Sequence, residues 1–115
     1  MAMSDCIFCK IVEGKIPAKV VYRDAHCLAF DDISPCAPVH AILVPVRHIG
    51  SLDDLGDAEG DTARGLLLAV RQVAREKGIA GAYRLVSNCG EPAGQVVRHL
   101  HFHILGGRDL GWPPG

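Results

Sequence analysis

The sequence predicts an α+β fold in which helices pack on an antiparallel sheet. Five short runs have the apolar or alternating character of strands, at residues 20–22, 27–30, 39–44, 83–87 and 99–105. One longer segment repeats apolar residues at helical spacing. Because most connections between the strand-like runs are too short for the crossovers that parallel strands need, we expect the strands to pair antiparallel.

Turn and cap residues place the elements in order. Ile7, Phe8, Ile11 and Val12 have helical spacing and predict a short amphipathic helix that ends near Gly14. The first three strands are bounded by turn signals at residues 24, 34–35 and 45. Residues 51–54 resemble a capping box with Asp at its last position, which predicts a short helix or turn.

The longest helix is predicted over residues 58–77. Its apolar residues recur at positions i, i+3, i+4 and i+7, polar residues occupy the other side, and Gly78 follows as a stop. The apolar positions are Ala63, Leu66, Leu67, Val70, Val73 and Ala74.

Composition favours one soluble domain over residues 1–115. Apolar residues make up 49% and charged residues 22%, and no apolar run is long enough to span a membrane. Twelve basic residues nearly balance thirteen acidic ones, which argues against nucleic-acid or membrane partners. The first residues lack the pattern of a signal peptide, so we expect a cytoplasmic protein. Five cysteines in such a chain favour reduced thiols or a metal site over disulfides.

Three histidines alternate with apolar residues near the C-terminus. In a strand, His99, His101 and His103 share one face, and residues 100, 102 and 104 share the other. The pattern predicts imidazoles directed outward and hydrocarbon directed inward. Imidazole acts as nucleophile, base, acid or metal ligand near neutral pH, so three on one face indicate chemistry. The alternative, a metal-binding histidine tract, does not explain the alternating apolar residues.

An ordered set of motifs resembles the histidine triad (HIT) family, and most closely its Hint branch of nucleoside phosphoramidases. The motifs run nearly from end to end of the chain. They are CIFCKIV at 6–12, IPA at 16–18, CLAFDDISP at 27–35, APVH at 37–40, GQ at 94–95, HLHFH at 99–103, GGR at 106–108 and WPPG at 112–115.

The resemblance implies a HIT-like fold, with a five-stranded antiparallel sheet, one long helix and one short helix. It also implies a homodimer with a continuous ten-stranded sheet, paired through the long helix and a strand. In the Hint branch the tail that contains Trp112 reaches toward the partner subunit's active site. The alternative is a rigid tail that packs on its own chain.

The resemblance also assigns catalytic roles. His101 attacks the α-phosphorus of a nucleoside monophosphate derivative and holds the nucleotidyl group until water releases it. His103 donates a hydrogen bond to a nonbridging oxygen or to the leaving group. His99 belongs to the same triad, and His40 matches a fourth, supporting histidine. On its own, His40 would be interpreted as a satisfied histidine of the sheet.

Substrate-binding positions follow from the same resemblance. Asn88, Gly94, Gln95 and Val96 match positions that contact the phosphate, and the glycines of this loop allow close backbone approach. Asp32 would accept hydrogen bonds from both ribose hydroxyls. The base would be enclosed by Ile7, Phe8, Ile11, Ile16, Phe30, Ile33 and Leu43, each of which is equally compatible with an ordinary core position. Val96 replaces the usual serine and lacks its hydroxyl, so activity is expected to persist, weakened or tuned to another leaving group.

A zinc site is a further implication, with no organic cofactor. Cys6, Cys9, His48 and His99 match the ligands of HIT proteins that contain structural zinc, and two thiolates with two imidazoles suit tetrahedral zinc. Alternatively, the two cysteines are small core residues, and His99 is hydrogen-bonded within the triad.

The implied activity is hydrolysis of P–N bonds in adenosine or guanosine 5′-monophosphoramidates through a nucleotidyl-histidine intermediate. Two alternatives stay open. One is a dinucleoside polyphosphate hydrolase of the same family. The other is a nucleotide-binding or interaction module with weak catalysis, suggested by Val96.

Overall fold

A computed structural model describes residues 5–115, and this part of the chain forms two α-helices and five strands, as the sequence predicts. The elements are α1 (Ile7–Val12), β1 (Val20–Arg23), β2 (Cys27–Asp31), β3 (Val39–Pro45), α2 (Gly60–Glu76), β4 (Tyr83–Val86) and β5 (Phe102–Gly106). Short 3₁₀ turns occupy Leu52–Asp54, Asp57–Glu59 and Glu91–Ala93. The α+β class is therefore confirmed.

The strands form one antiparallel sheet in the order β1-β2-β3-β5-β4. The central strand β3 lies between β2 and β5, with His40 opposite Leu105 and Ile42 opposite His103. β1 and β4 are the two edges. This order brings His40 and the histidine-rich segment onto neighbouring strands, although they are about sixty residues apart in sequence.

The two faces of the sheet are covered by different helices. Alternate residues of each strand point to opposite faces. One face packs on α2. The layer between them contains Cys27, Ala29, Ala41, Leu43, Phe102 and Ile104 from the strands and Leu66, Val70 and Val73 from the helix. The other face packs on α1, with Leu28, Phe30, Ile42 and Val44 from the strands and Phe8 and Ile11 from the helix. Full burial of each large apolar side chain contributes about 1.5–3 kcal/mol, so both layers stabilise the sheet.

The last strand begins at Phe102, three residues later than the sequence predicts. Pairing between β3 and β5 ends at Leu43 opposite Phe102. Beyond that point the Leu100 amide donates to the carbonyl of Ile49 at 2.6 Å. The chain therefore leaves the ladder because the loop after β3 offers a competing backbone acceptor.

The capping box predicted at residues 51–54 is not formed. Ser51 Oγ donates to the Asp54 carboxylate at 2.9 Å, and no side chain caps the 3₁₀ turn that follows. The long helix begins at Gly60 after a separate 3₁₀ turn at Asp57–Glu59. In the part of the chain that the structure describes, no helix is long and apolar enough to cross a membrane.

Candidate active site

The three histidines lie on the α1 side of the sheet, while Leu100, Phe102 and Ile104 pack toward α2. The alternation of faces is thus as predicted, but the outward direction is wrong. His99 is fully buried, His101 is 7% exposed, and His103 is half-buried. The cause is α1, whose Phe8 ring packs on the rings of His99 and His101.

The hydrogen bond of His101 determines its tautomer. His101 Nδ1 lies 2.7 Å from the backbone oxygen of His99, which can only accept, so Nδ1 bears the proton. Nε2 then has a free lone pair. Ser87 Oγ donates to the His101 carbonyl at 3.0 Å and fixes the backbone at the same residue. In this tautomer Nε2 is the ring atom that can act as a nucleophile or accept a hydrogen bond.

A second chain of hydrogen bonds determines the tautomers of His40 and His103. The Cys36 amide donates to His40 Nδ1 at 3.0 Å, so the proton of His40 is on Nε2. His40 Nε2 lies 2.8 Å from His103 Nδ1 and donates to it. His103 Nδ1 is thus an acceptor, and its own proton is on Nε2. His40 Nε2 is also 3.4 Å from the Asp32 carboxylate.

Burial favours the neutral form of two of these histidines. Burial, and after it the nearby His101 and His40, lowers the pKa of the His103 imidazole below its usual range. Burial also lowers the pKa of His99 to about 4, against the opposing effect of its hydrogen bond to Pro45. The hydrogen bonds of these two rings then define which nitrogen donates and which accepts.

A cavity of about 400 Å³ opens beside α1 and the end of β2. Its lining is almost entirely apolar, with Asp31, Asp32 and Lys19 as the charged residues. The lining residues are Ile7, Phe8, Ile11, Ile16, Pro17, Ala18, Lys19, Phe30, Asp31, Asp32, Ile33 and Ile42. Its volume and apolar character suit a flat ring system with a polar group near Asp32.

Most of the base-wall residues suggested by the sequence line this cavity, but Leu43 does not. Leu43 is fully buried in the layer against α2. Its neighbour Ile42 lines the cavity instead. Side-chain alternation along β3 explains the correction, because Ile42 shares a face with His40 and Leu43 cannot. Ile33 lies at the rim and is 99% exposed.

The loop at residues 88–96 begins next to the histidines, since Val86 pairs with His103. Gly94 has a φ of +96°, a left-handed conformation that a side chain would strain. Asn88 Nδ2 donates to the carbonyl of Ala93 at 2.7 Å and closes the loop.

Gln95 does not present its side chain to a ligand. The residue is 5% exposed, and its Oε1 accepts from the Gly90 amide at 2.8 Å. Its Nε2 donates to the carbonyls of Gly50 and Val97, at 2.7 and 3.0 Å. The side-chain amide of Gln95 therefore forms an internal clasp between the loop at residues 88–96 and Gly50. The next residue, Val96, is 87% exposed.

Cys6, Cys9, His48 and His99 converge in a second cluster, whose ligand atoms lie within 4.8 Å of one another. Cys6 Sγ is 3.3 Å from His99 Nδ1, and Cys9 Sγ is 3.2 Å from His48 Nδ1. His99 Nε2 donates to the Pro45 carbonyl at 2.9 Å, so the proton is on Nε2. His99 Nδ1 is therefore unprotonated, and its lone pair faces the sulfur atoms. The donor set and this tautomer fit tetrahedral zinc.

Asp32, His40 and His103 also approach within 4.8 Å, but their hydrogen bonds do not suit a metal. A metal on His40 Nε2 would move its proton to Nδ1, which faces the Cys36 amide. Two donors would then oppose each other. The group is better described as a hydrogen-bonded relay.

Comparison with known proteins agrees with this arrangement. A profile of the HIT domain matches residues 13–110. The chain belongs to the HIT family. An uncharacterised HIT-like protein from Synechococcus elongatus is 48% identical over 112 residues, covering 96% of this chain and 97% of the relative.

Solved structures of HIT proteins share the fold. A HIT family hydrolase from Legionella pneumophila superposes with a TM-score of 0.93 at 43% identity, covering 96% of this chain and 100% of that one. A histidine triad nucleotide-binding protein from Candida albicans gives a TM-score of 0.79 at 31% identity, covering 95% and 83% of the two chains. Hydrolase neighbours at this similarity indicate hydrolase-type activity for this HIT protein.

Trp112, in the C-terminal tail of this HIT chain, is 83% exposed and is not among the residues that line the cavity of its own subunit. Arg84 of β4 donates to the carbonyl of Gly111 at 2.7 Å and holds the start of the tail. Five lining residues were missed from the sequence, namely Pro17, Ala18, Lys19, Asp31 and Ile42. Ile42 was identifiable from the period of two that begins at His40, whereas no periodicity marks the other four.

Proposed function

We propose that this HIT protein is a purine nucleoside phosphoramidase that hydrolyses the P–N bond of adenosine and guanosine 5′-monophosphoramidates. The observation that supports this most strongly is the 2.7 Å hydrogen bond from His101 Nδ1 to the His99 carbonyl, which leaves Nε2 free to attack phosphorus. Covalent catalysis by a neutral imidazole follows from that geometry.

In the first step, His101 Nε2 forms a bond to the α-phosphorus and the P–N bond breaks. The electron pair of that bond leaves on the amine, which takes its proton from solvent. The phosphorylated His101 ring is cationic, and the His99 carbonyl that accepts from Nδ1 stabilises this charge. In the second step, water attacks the phosphorus and gives up a proton to solvent, the electron pair of the P–Nε2 bond returns to Nε2, and the nucleoside monophosphate departs.

His103 stabilises the phosphoryl group in both steps. Its Nε2–H is the single proton of a neutral ring, because Nδ1 accepts from His40. Full transfer of that proton would leave an imidazolate, so donation of a hydrogen bond to a nonbridging oxygen is the better role. His40 acts through His103 by fixing its tautomer.

The nucleotide occupies the cavity beside α1, with the base between the apolar walls and the ribose hydroxyls at Asp32. The lining offers few side-chain donors or acceptors for the base edge, so adenine and guanine are both accepted. Backbone amides of the loop at 88–96 that are not engaged within the loop, such as that of Val96, bind the phosphate, and the hydroxyl missing at Val96 is one further donor that this chain lacks.

Cys6, Cys9, His48 and His99 hold a structural zinc ion in this proposal. Zinc with four protein ligands supplies cross-linking and no open coordination position. It ties α1 to the loop after β3 and to His99. All five cysteines are free, which suits a reducing cytoplasmic location.

A homodimer completes the site. β4 is an edge of the sheet and includes Leu85, which is 37% exposed. Pairing two copies along β4 generates a continuous ten-stranded sheet and removes that edge. Exposed leucines on α2, Leu67 and Leu68, add apolar surface for the contact. The tail beyond Gly111 then presents Trp112 to the partner subunit's cleft.

Light scattering tests the homodimer. The mass should be twice the 12.3 kDa of one chain, and the mass of a monomer would refute the dimer proposal.

Dinucleoside polyphosphate hydrolysis is the second candidate, because it uses the same nucleophile and the same cavity. The third is a nucleotide-binding module with weak catalysis, favoured by the exposed Val96 in place of a serine.

The deciding experiment measures hydrolysis of a fluorogenic adenosine 5′-phosphoramidate and of diadenosine tetraphosphate. We expect phosphoramidate turnover that falls to background in His101→Ala. The control is His26→Ala, an exposed histidine that does not line the cavity, which should retain full turnover. Preference for the dinucleotide would move the protein to the second function. Nucleotide binding without turnover of either substrate would support the third.

A further inference from the structure

Helix α1 belongs to two sites at once. Cys6 precedes the helix, Cys9 lies within it, and both contribute sulfur atoms to the proposed metal cluster. Ile7, Phe8 and Ile11 of the same helix line the nucleotide cavity. One helical segment of six residues therefore supplies metal ligands and a wall of the cleft.

This helix is too short to be stable by itself. Isolated helices below about 12–15 residues are marginal in water, so α1 depends on its packing and on its ends. At its first turn the Cys6 sulfur accepts from the Cys9 amide at 3.3 Å. The Cys6 thiol also contacts His99, and the Cys9 thiol contacts His48 in the loop after β3. Among the described residues, no other side chain of α1 forms a hydrogen bond with that loop.

Phe8 joins the metal cluster to the nucleophile. Its ring centroid lies 5.9 Å from that of His99 and 5.0 Å from that of His101, both in edge-to-face geometry. It also packs on Phe30 of the cavity wall at 5.7 Å. A displacement of α1 therefore moves the wall of the cleft and at the same time removes the packing of Phe8 on one side of the His101 ring.

We propose that metal binding and nucleotide binding are energetically coupled through α1, and that Phe8 is the positioning residue that transmits the coupling. The proposal rests on the nucleotide site assigned above. The metal holds α1 against the sheet, the placed helix completes the cleft, and a bound nucleotide in turn secures α1 over the cluster. Thermodynamic linkage requires that the two ligands strengthen each other by the same factor.

The expected coupling is about 5-fold to about 150-fold, the usual range between two linked sites. Zinc-loaded protein should bind AMP tighter than zinc-free protein by that factor. Conversely, saturating AMP should raise the apparent zinc affinity by the same factor. Phe8→Leu keeps the ligands and an apolar wall, and should bring the factor close to one.

The experiment uses the full chain. Zinc affinity is measured by equilibrium competition with a chromogenic chelator, with and without AMP. AMP affinity is measured by calorimetry on zinc-loaded and on zinc-free protein. Asp32→Ala is the control for direct chelation of zinc by AMP, because this variant lacks the ribose contact and should show no AMP effect. Far-UV circular dichroism of zinc-free protein reports whether the sheet persists.

Each outcome has one meaning. Absence of AMP binding to zinc-loaded protein overturns the proposed nucleotide site. AMP binding with unchanged zinc affinity leaves that site standing and overturns the coupling. If AMP raises the zinc affinity by the same factor in Phe8→Leu and in the native chain, Phe8 has no role in the coupling. The coupling would then arise from folding of the whole domain.

Discussion

Replacement of Gln95 by alanine separates two interpretations of the loop at residues 88–96. In the structure the side chain of Gln95 is an internal clasp that joins Gly90, Gly50 and Val97 by three hydrogen bonds. The alternative is that its amide contacts the substrate. The clasp predicts a loss of stability in the free protein, whereas a substrate contact predicts a loss of affinity alone.

The magnitude follows from the three bonds. Each typical intramolecular hydrogen bond contributes about 0.5–1.5 kcal/mol, so their loss should lower the free energy of unfolding by about 1.5–4.5 kcal/mol. Water entering the space left by the amide would shift the result to the lower end. For a chain of this size the corresponding fall in Tm is roughly 6–18 °C.

Urea denaturation of the zinc-loaded protein provides the assay, with Val96→Ala as the matched control. Val96 is the next residue and is 87% exposed, so its truncation should change stability by less than about 0.5 kcal/mol. Gln95→Ala should also lower kcat/KM, because the loop loses its connection to Gly50. A Gln95→Ala protein that is as stable as the control, yet binds AMP weakly, would refute the clasp.

Three further variants test other parts of the structure. His103→Asn should weaken the dependence of stability on pH. The folded-state pKa of His103 lies below its ordinary value of 6.5, so stability is lost as pH falls from about 6.5 toward that lowered pKa. Urea unfolding between about pH 5 and about pH 7 should therefore give a shallower slope of unfolding free energy against pH in the variant. An identical slope in both proteins would contradict the buried neutral ring. Leu66→Ala should cost about 2–5 kcal/mol in the same assay because Leu66 is 1% exposed on the buried side of α2, whereas Arg71→Ala on the solvent side of the same helix should be neutral. Val96→Ser should leave stability unchanged and raise kcat/KM for a phosphoramidate roughly tenfold or more, as expected for a new hydrogen bond to a charged group; no gain would mean that the hydroxyl does not reach the phosphate.

The parts of the fold that depend on local patterns were predictable from the sequence. The apolar repeat of α2 and the alternation around His101 each arise from a short segment with its own period. The same period of two, applied from His40, identifies Ile42 rather than Leu43 as a cavity residue. Leu43 is the next residue of β3 and lies on the opposite face, in the core position that was its alternative interpretation.

The parts that depend on distant partners were not predictable. The segment before Phe102 leaves the ladder because of the Ile49 and Pro45 carbonyls, which are about fifty residues away in sequence. The Gln95 amide is buried because Gly50 lies beside it. The histidines point into the molecule because α1 covers their face. No periodicity in the segment itself encodes these contacts.

The oxygen that orients His101 belongs to the main chain of His99, whereas the proposed metal ligand at the same position is a side chain. Every amino acid at position 99 would supply a carbonyl, so the tautomer of the nucleophile is guaranteed by peptide geometry and not by residue identity. A single position thus serves one role that substitution can abolish and another that it cannot. Alanine scanning would detect the first role and pass over the second.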